Sequence, residues 1–222
     1  MHLLEFARGP ALAFAVSVFV LGVAWRLLGL LRYRTSRDIA QPRVERAAAL
    51  RAALRRLWPS TSFRRAFPVV SGNALAWHVA LVLVVFGFAG HIGFVKHLAG
   101  ISWPALPGWT FGVAVAVAMF GLLFALMMRL ATPATRLLSG FDDYAGWFVT
   151  VLPFATGMAA IYLPLDATYP WQPEHPVAVA IHLLSAELLL AWLPFGKLAH
   201  FFLAFVSRAA TASAFARKGA AL

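Results

Sequence analysis

Residues 177 to 206, VAVAIHLLSAELLLAWLPFGKLAHFFLAFV, are apolar almost throughout yet carry two histidines, His182 and His200. Their separation of eighteen residues is about five turns of an ideal helix, which brings both imidazoles to one side at a separation of roughly 27 Å. That distance nearly matches a hydrocarbon core of roughly 30 Å. An ionisable side chain in hydrocarbon is costly and faces a bundle interior, a cavity or a cofactor. Two on one face, near opposite surfaces, point to two buried sites, although a single membrane histidine can equally be a hydrogen-bonding residue between helices.

The rest of the chain agrees with a membrane setting. Of its 222 residues, 62% are hydrophobic, against roughly 45–50% in soluble domains. Cysteine is absent, which excludes disulfides, thiolate metal sites and cysteine-ligated iron–sulfur clusters within this chain. A formal net charge of +11 would suggest nucleic acid in a soluble protein. Here the cations fall at the ends of apolar runs instead, where they report orientation.

The hydropathy pattern predicts an all-α integral membrane bundle of five spans: residues 10–31, 70–95, 109–130, 144–164 and 177–206. The first has Arg26 near its far end and is read as a retained anchor, being longer than a signal core and flanked by Glu5 and Arg8. Residues 32–68 are rich in arginine, and Ala47, Leu50, Leu54, Leu57 and Trp58 recur at helical spacing among the charges. This loop is expected on the cytoplasmic side as an amphipathic surface helix, serving lipid anchoring or the docking of an acidic soluble subunit. Arg129 and Arg136 mark the same side, as do Arg208, Arg217 and Lys218. The opposite loops carry Lys96 alone. The expected topology has the N-terminus outside and the C-terminus in the cytoplasm of a bacterial or archaeal cell.

Span 2, VSGNALAWHVALVLVVFGFAGHIGFV, supplies a second pair, His78 and His91. In an ideal helix thirteen residues turn the second imidazole about 140° from the first over roughly 20 Å. A bulge near Gly87 or Gly90 would be needed to face both toward one axis. With the expected orientation, His91 and His182 lie at the outer depth and His78 and His200 at the inner. Such pairs are what two six-coordinate b-type haems require, together with cations for the propionates. Arg129 and Arg26 are the candidate cations, with snorkelling as the plainer role for Arg26.

Span 5 contains two further polar residues and a proline. Glu187 could relay a proton or be a structural carboxyl held against a neighbouring helix. Pro194 should kink the span and free a carbonyl one turn back, and Lys197 can snorkel. Span 4 is expected to be interrupted at Pro153 and Gly157.

The stretch HLLSAELLLAWLPFGKLAH, with its histidine spacing and Pro-Phe-x-Lys-Leu-x-His ending, resembles the last helix of the cytochrome b (gamma) subunit of respiratory nitrate reductase and related dihaem membrane anchors. The run from Arg129 to Arg136, RLATPATR, and the Gly90–His91 pair are similar to that family too. The resemblance covers spans 2 to 5. It implies two haem b groups, one held by His91 with His182 and one by His78 with His200, with Arg129 at an inner propionate. It also implies quinol oxidation near Gly90 and His91, and soluble iron–sulfur and catalytic subunits on the cytoplasmic side as electron partners, for nitrate or for a heterodisulfide-reductase-like reaction. Three features depart from the nitrate reductase type. Its span 2 histidines are closer together, Trp103 stands where it has a quinone-site lysine, leaving Lys96 as the nearest substitute, and its first loop is shorter. The competing reading is a non-haem transporter or assembly factor that uses intramembrane His and Glu for protons or metal ions.

Overall fold

A computed structural model describes residues 2–32, 61–162 and 176–217. The expected amphipathic helix within 32–68 falls largely on residues outside those described, as does most of the loop before Pro176. Among the described residues every regular element is helical: α1 (Leu3–Phe6), a π-turn (Ala7–Ala11), α2 (Leu12–Arg32), α3 (Thr61–Ala66), α4 (Pro68–Gly87), α5 (Ala89–Ala99), α6 (Gly108–Ala131), α7 (Pro133–Leu137), α8 (Phe141–Tyr162), α9 (Pro176–Trp192), a 3₁₀ turn (Lys197–Ala199) and α10 (His200–Arg217). Four helical segments are long and apolar enough to cross a membrane, or up to five if the bent pair α9 and α10 counts as one. The chain is thus a membrane-embedded, multi-pass, all-α protein.

The first apolar segment starts earlier than expected, at Leu3. The backbone N–H of His2 donates to Glu5 Oε2 at 3.0 Å, closing the helix start. Pro10 has no N–H to offer, and the wider π-turn around it carries the helix past the missing bond.

Three expected spans differ from the structure. Span 2 is not continuous: Phe88, at φ −79° and ψ 128°, separates α4 from α5. The angular relation drawn between His78 and His91 for one ideal helix therefore does not apply. Span 4 is unbroken, since α8 runs straight through Pro153; one missing donor is tolerated inside a long apolar helix. Span 5 is broken, with α9 and the segment from Lys197 bent by 80°. His182 and His200 lie on different helices, so the argument from five turns on one face is overturned.

The described chain divides into two compact units, one made of residues 2–32, 148–162 and 176–217 and the other of residues 61–147. In the second, α4 packs on α6. Among the buried residues of α6 are Ala114, Ala118 and Gly121, small residues that let helix backbones approach. Gly121 is the tightest point, for a Cβ there would stand 2.7 Å from Trp77 Cβ. Its carbonyl accepts a 3.0 Å bond from Asn73 Nδ2. In the same unit, Trp147 Nε1 donates to the Leu122 carbonyl at 2.8 Å.

Gly121→Ala is expected to lower stability by about 1–3 kcal/mol through overpacking against Trp77. Gly112→Ala, where a Cβ meets nothing within 4 Å, should be neutral. Thermal unfolding in detergent compares the two, and equal midpoints would refute the close approach.

Candidate functional site

The polar chemistry of the first unit is concentrated on α9. His182 packs against α8 where Gly157 leaves it room: a Cβ on Gly157 would lie 3.0 Å from His182 Cε1 and 3.1 Å from Nδ1. Nδ1 stands 3.4 Å from Thr156 Oγ1, which is 2.8 Å from Ser185 Oγ. Ser185 Oγ in turn donates to the His182 carbonyl at 2.7 Å, and Thr156 Oγ1 lies 2.9 Å from the Leu152 carbonyl. A hydroxyl can donate or accept, so the Thr156 contact is open to either tautomer of His182. Sequence reasoning missed Thr156 and Ser185. Their signal was a pair of hydroxyls in otherwise apolar helices.

The break after α9 is built from both sides. Leu193 N–H still reaches the Leu189 carbonyl at 3.0 Å, but Pro194 cannot extend the ladder, and Phe195 N–H turns back to the Trp192 carbonyl at 3.1 Å. Arg26 supplies donors from α2: Nε reaches the Pro194 carbonyl at 2.9 Å and Nη2 the Phe195 carbonyl at 2.7 Å. Gly22, one turn earlier, makes space for the proline, since a Cβ there would stand 2.7 Å from Pro194 Cβ. Arg26, expected as a snorkelling residue or a propionate partner, thus also holds the break together. Beyond the break, His200 opens α10 and its Nδ1 lies 2.9 Å from the Lys197 carbonyl. An open cavity of about 420 Å³ adjoins it, with Arg26, Lys197, His200, Ser207 and Arg208 in its lining and no carboxylate.

In the second unit, His78 is exposed on α4. Its Nδ1 lies 2.6 Å from the Ala74 carbonyl and its ring is 3.7 Å from that of Trp77. His91 sits in the first turn of α5, with Nδ1 3.0 Å from the Val84 carbonyl and its ring edge-on to Phe88 at 5.3 Å. The neighbouring carbonyls released by the break are also taken: Trp103 Nε1 donates to Phe86 at 2.6 Å and Leu106 N–H to Gly87 at 2.9 Å. Trp103, noted in the sequence only as a departure, is a cap.

Gly90 and His91 remain together around Phe88, whose ring a Cβ on Gly90 would meet at 2.6 Å. Lys96 does not join them, because five residues along α5 place it about 140° round the helix from His91, and it is exposed. Arg129 has protein partners of its own. Its Nη1 binds Asp143 Oδ1 at 2.9 Å and Ser139 Oγ at 2.7 Å, so its guanidinium is committed to a carboxylate of α8.

One pattern is common to the four membrane histidines. In His78, His91 and His200 the ring atom bonded to the backbone is Nδ1, and in His182 Nδ1 faces a hydroxyl. A carbonyl oxygen only accepts, so in His78, His91 and His200 the proton must be on Nδ1. In the neutral ring the lone pair is then on Nε2. This is the tautomer and the kind of fixing bond found in metal-ligating histidines. Among the described residues no three or more His, Cys, Asp or Glu side chains converge as a metal-ion site.

The chain is 30% identical over 213 residues to a protein of Nitratidesulfovibrio vulgaris (strain Hildenborough), designated simply "Protein", and the match covers 91% of this chain and 89% of the relative. The chain belongs to that protein's family. The relative's designation states no activity. No family model matches this sequence, and no solved structure matches it.

Arg26→Ala should cost about 1.5–3 kcal/mol, the range for losing hydrogen bonds from a charged donor. Two carbonyls at the α9 break would lose their partner. Unfolding in detergent measures it, and an unchanged midpoint would mean that the break stands without Arg26.

Proposed function

We propose that this chain is a dihaem b-type cytochrome membrane subunit of a respiratory redox complex, passing electrons between the quinone pool and a soluble enzyme on the cytoplasmic side. The observation that carries the reading is the set of four histidines in apolar helices, each with its Nδ1 beside a backbone carbonyl or a hydroxyl. Pairs of imidazoles suit a macrocycle that brings four nitrogens of its own. Gly157 adds support, since it is the clearance that lets His182 adopt its position.

In this reading His91 and His182 form the outer pair and His78 and His200 the inner pair. Haem b, when bound, supplies one-electron transfer. His182 is held by Thr156, with Ser185 completing the cluster, and His200 by the turn that Arg26 secures. The cationic lining beside His200 favours an anionic group such as a propionate, a role that Arg129 can share only while keeping Asp143. Quinol is oxidised beside Gly90 and His91, with Lys96 left outside that pocket. The iron–sulfur clusters needed to carry electrons onward belong to the partner subunits, since this chain has no cysteine. The terminal substrate is nitrate or a disulfide-type acceptor, and the membrane is the cytoplasmic membrane of a bacterium or archaeon, with the N-terminus outside.

The test is a reduced-minus-oxidised optical spectrum with haem quantitation on the purified full chain and on four single variants. Two b-type haems per chain are expected. His91→Ala and His182→Ala should each remove one, and His78→Ala and His200→Ala the other. A folded preparation without haem would overturn the proposal and favour a transporter that uses intramembrane His and Glu.

A further inference from the structure

Glu187 lies near the middle of α9, a helix otherwise composed of apolar and small residues around it, and it is 7% exposed. Both of its carboxylate oxygens are buried, and neither has a hydrogen-bond partner among the described residues. It repeats at seven-residue spacing with Ala180, which is fully buried, and with Pro194. Seven residues are about two helical turns, so Ala180 and Glu187 share one face of α9. Pro194 lies just beyond the end of α9, set against Gly22 of α2, the helix on which α9 packs. On α2 the matching strip has Ala15, 2% exposed, seven residues before Gly22. The carboxyl therefore lies in a seam of small side chains that let α2 and α9 approach closely.

No charge on the surrounding elements answers it. The titratable side chains on the elements packed against α9 are Glu5 of α1, Arg8 of the π-turn and Arg26 and Arg32 of α2, with Tyr162 on the part of α8, residues 148–162, that belongs to the same unit. None bonds to Glu187. Arg26 is committed to the carbonyls of Pro194 and Phe195, about two turns further along. His182 lies about 140° round α9, on the face that meets α8. An ionised carboxylate so placed would be a desolvated and uncompensated charge, a state that proteins avoid by keeping the proton.

We infer that Glu187 is a proton-binding site inside the membrane, a carboxyl that keeps its proton in the α2–α9 seam rather than serving as an ion-pair or capping residue. Such a group has a specific reactivity. A membrane-soluble carbodiimide adds a carboxylic acid across one C=N bond: the acid proton goes to nitrogen, the carboxyl oxygen bonds to the central carbon, and the O-acylisourea rearranges to a stable N-acylurea. The reaction consumes the protonated acid and needs no other reactant.

The experiment treats the full chain in native membrane vesicles with dicyclohexylcarbodiimide near neutral pH and maps the adducts by mass spectrometry. Glu187 should be the most heavily labelled carboxyl, ahead of Glu5, Asp142 and Asp143. A water-soluble carbodiimide should reverse the order. Glu187→Gln should abolish the Glu187 adduct, and infrared difference spectra against the wild type should lose a protonated-carboxyl C=O stretch. Loss of ionised-carboxylate bands in that difference spectrum would overturn the inference, as would labelling of Glu187 no stronger than that of Asp142. Both readouts are independent of haem, so they succeed or fail separately from the electron-transfer proposal.

Discussion

In hydrocarbon a broken helix persists only where the carbonyls it releases find donors, because no water is present to supply them. Both breaks in this chain meet that condition with side chains from elsewhere in the sequence. Arg26 of α2 grips two carbonyls at the end of α9, and the Trp103 indole, the His91 ring and the Leu106 amide take three at the end of α4. The histidines sit where they do because of these breaks. His91 opens α5 and His200 opens α10, each just beyond a capped interruption. The bend that ends α9 also creates the cationic cavity beside His200.

Small residues perform the complementary task. Gly22 admits Pro194, Gly121 admits Trp77 and Gly157 admits the His182 ring. In each case a Cβ would fall at 3.0 Å or less from a neighbouring side chain, closer than van der Waals contact allows. The glycines thus position bulky or polar groups in helix contacts where there is little hydrophobic drive to hold helices together.

The amino-acid sequence made the helical class, the membrane setting and the approximate spans legible, because long apolar runs with terminal arginines admit few other readings. It did not show where helices break. Pro153 and Pro194 both lie in apolar runs, yet α8 continues through the first while α9 ends near the second. The difference is tertiary and local at once: Gly196 follows Pro194 closely, and Arg26 arrives from α2 to take the freed carbonyls. The break at Phe88 has no proline at all, and its stabilisers, Trp103 and Leu106, lie in the following loop. The histidines were legible as polar outliers in apolar runs, but their Nδ1 partners are backbone atoms in three of four cases, and backbone atoms leave no trace in a sequence. The ion pair of Arg129 was hidden for a related reason, since Asp143 precedes the apolar run 144–164 yet lies in the first turn of α8, within 2.9 Å of the arginine.

The two polar positions on α9 belong to different contacts. His182 and Ser185 meet α8, whereas Glu187 lies about 140° round α9 from His182, on the side inferred to face α2. Side chains on separate faces with no shared partner are energetically near-independent. A change at Glu187 should therefore leave the Thr156–His182 contact in place, and a change at His182 should leave the carboxyl in its seam. In the proposed reading, one helix presents an imidazole to a redox group on one side and keeps a proton on the other. The two roles meet only at the break, where Pro194 is set against Gly22 of α2 and Arg26 fixes the turn that leads to His200. Movement of α2 against α9 is the one motion that would reach both, because the same helix supplies Gly22, Ala15 and the guanidinium.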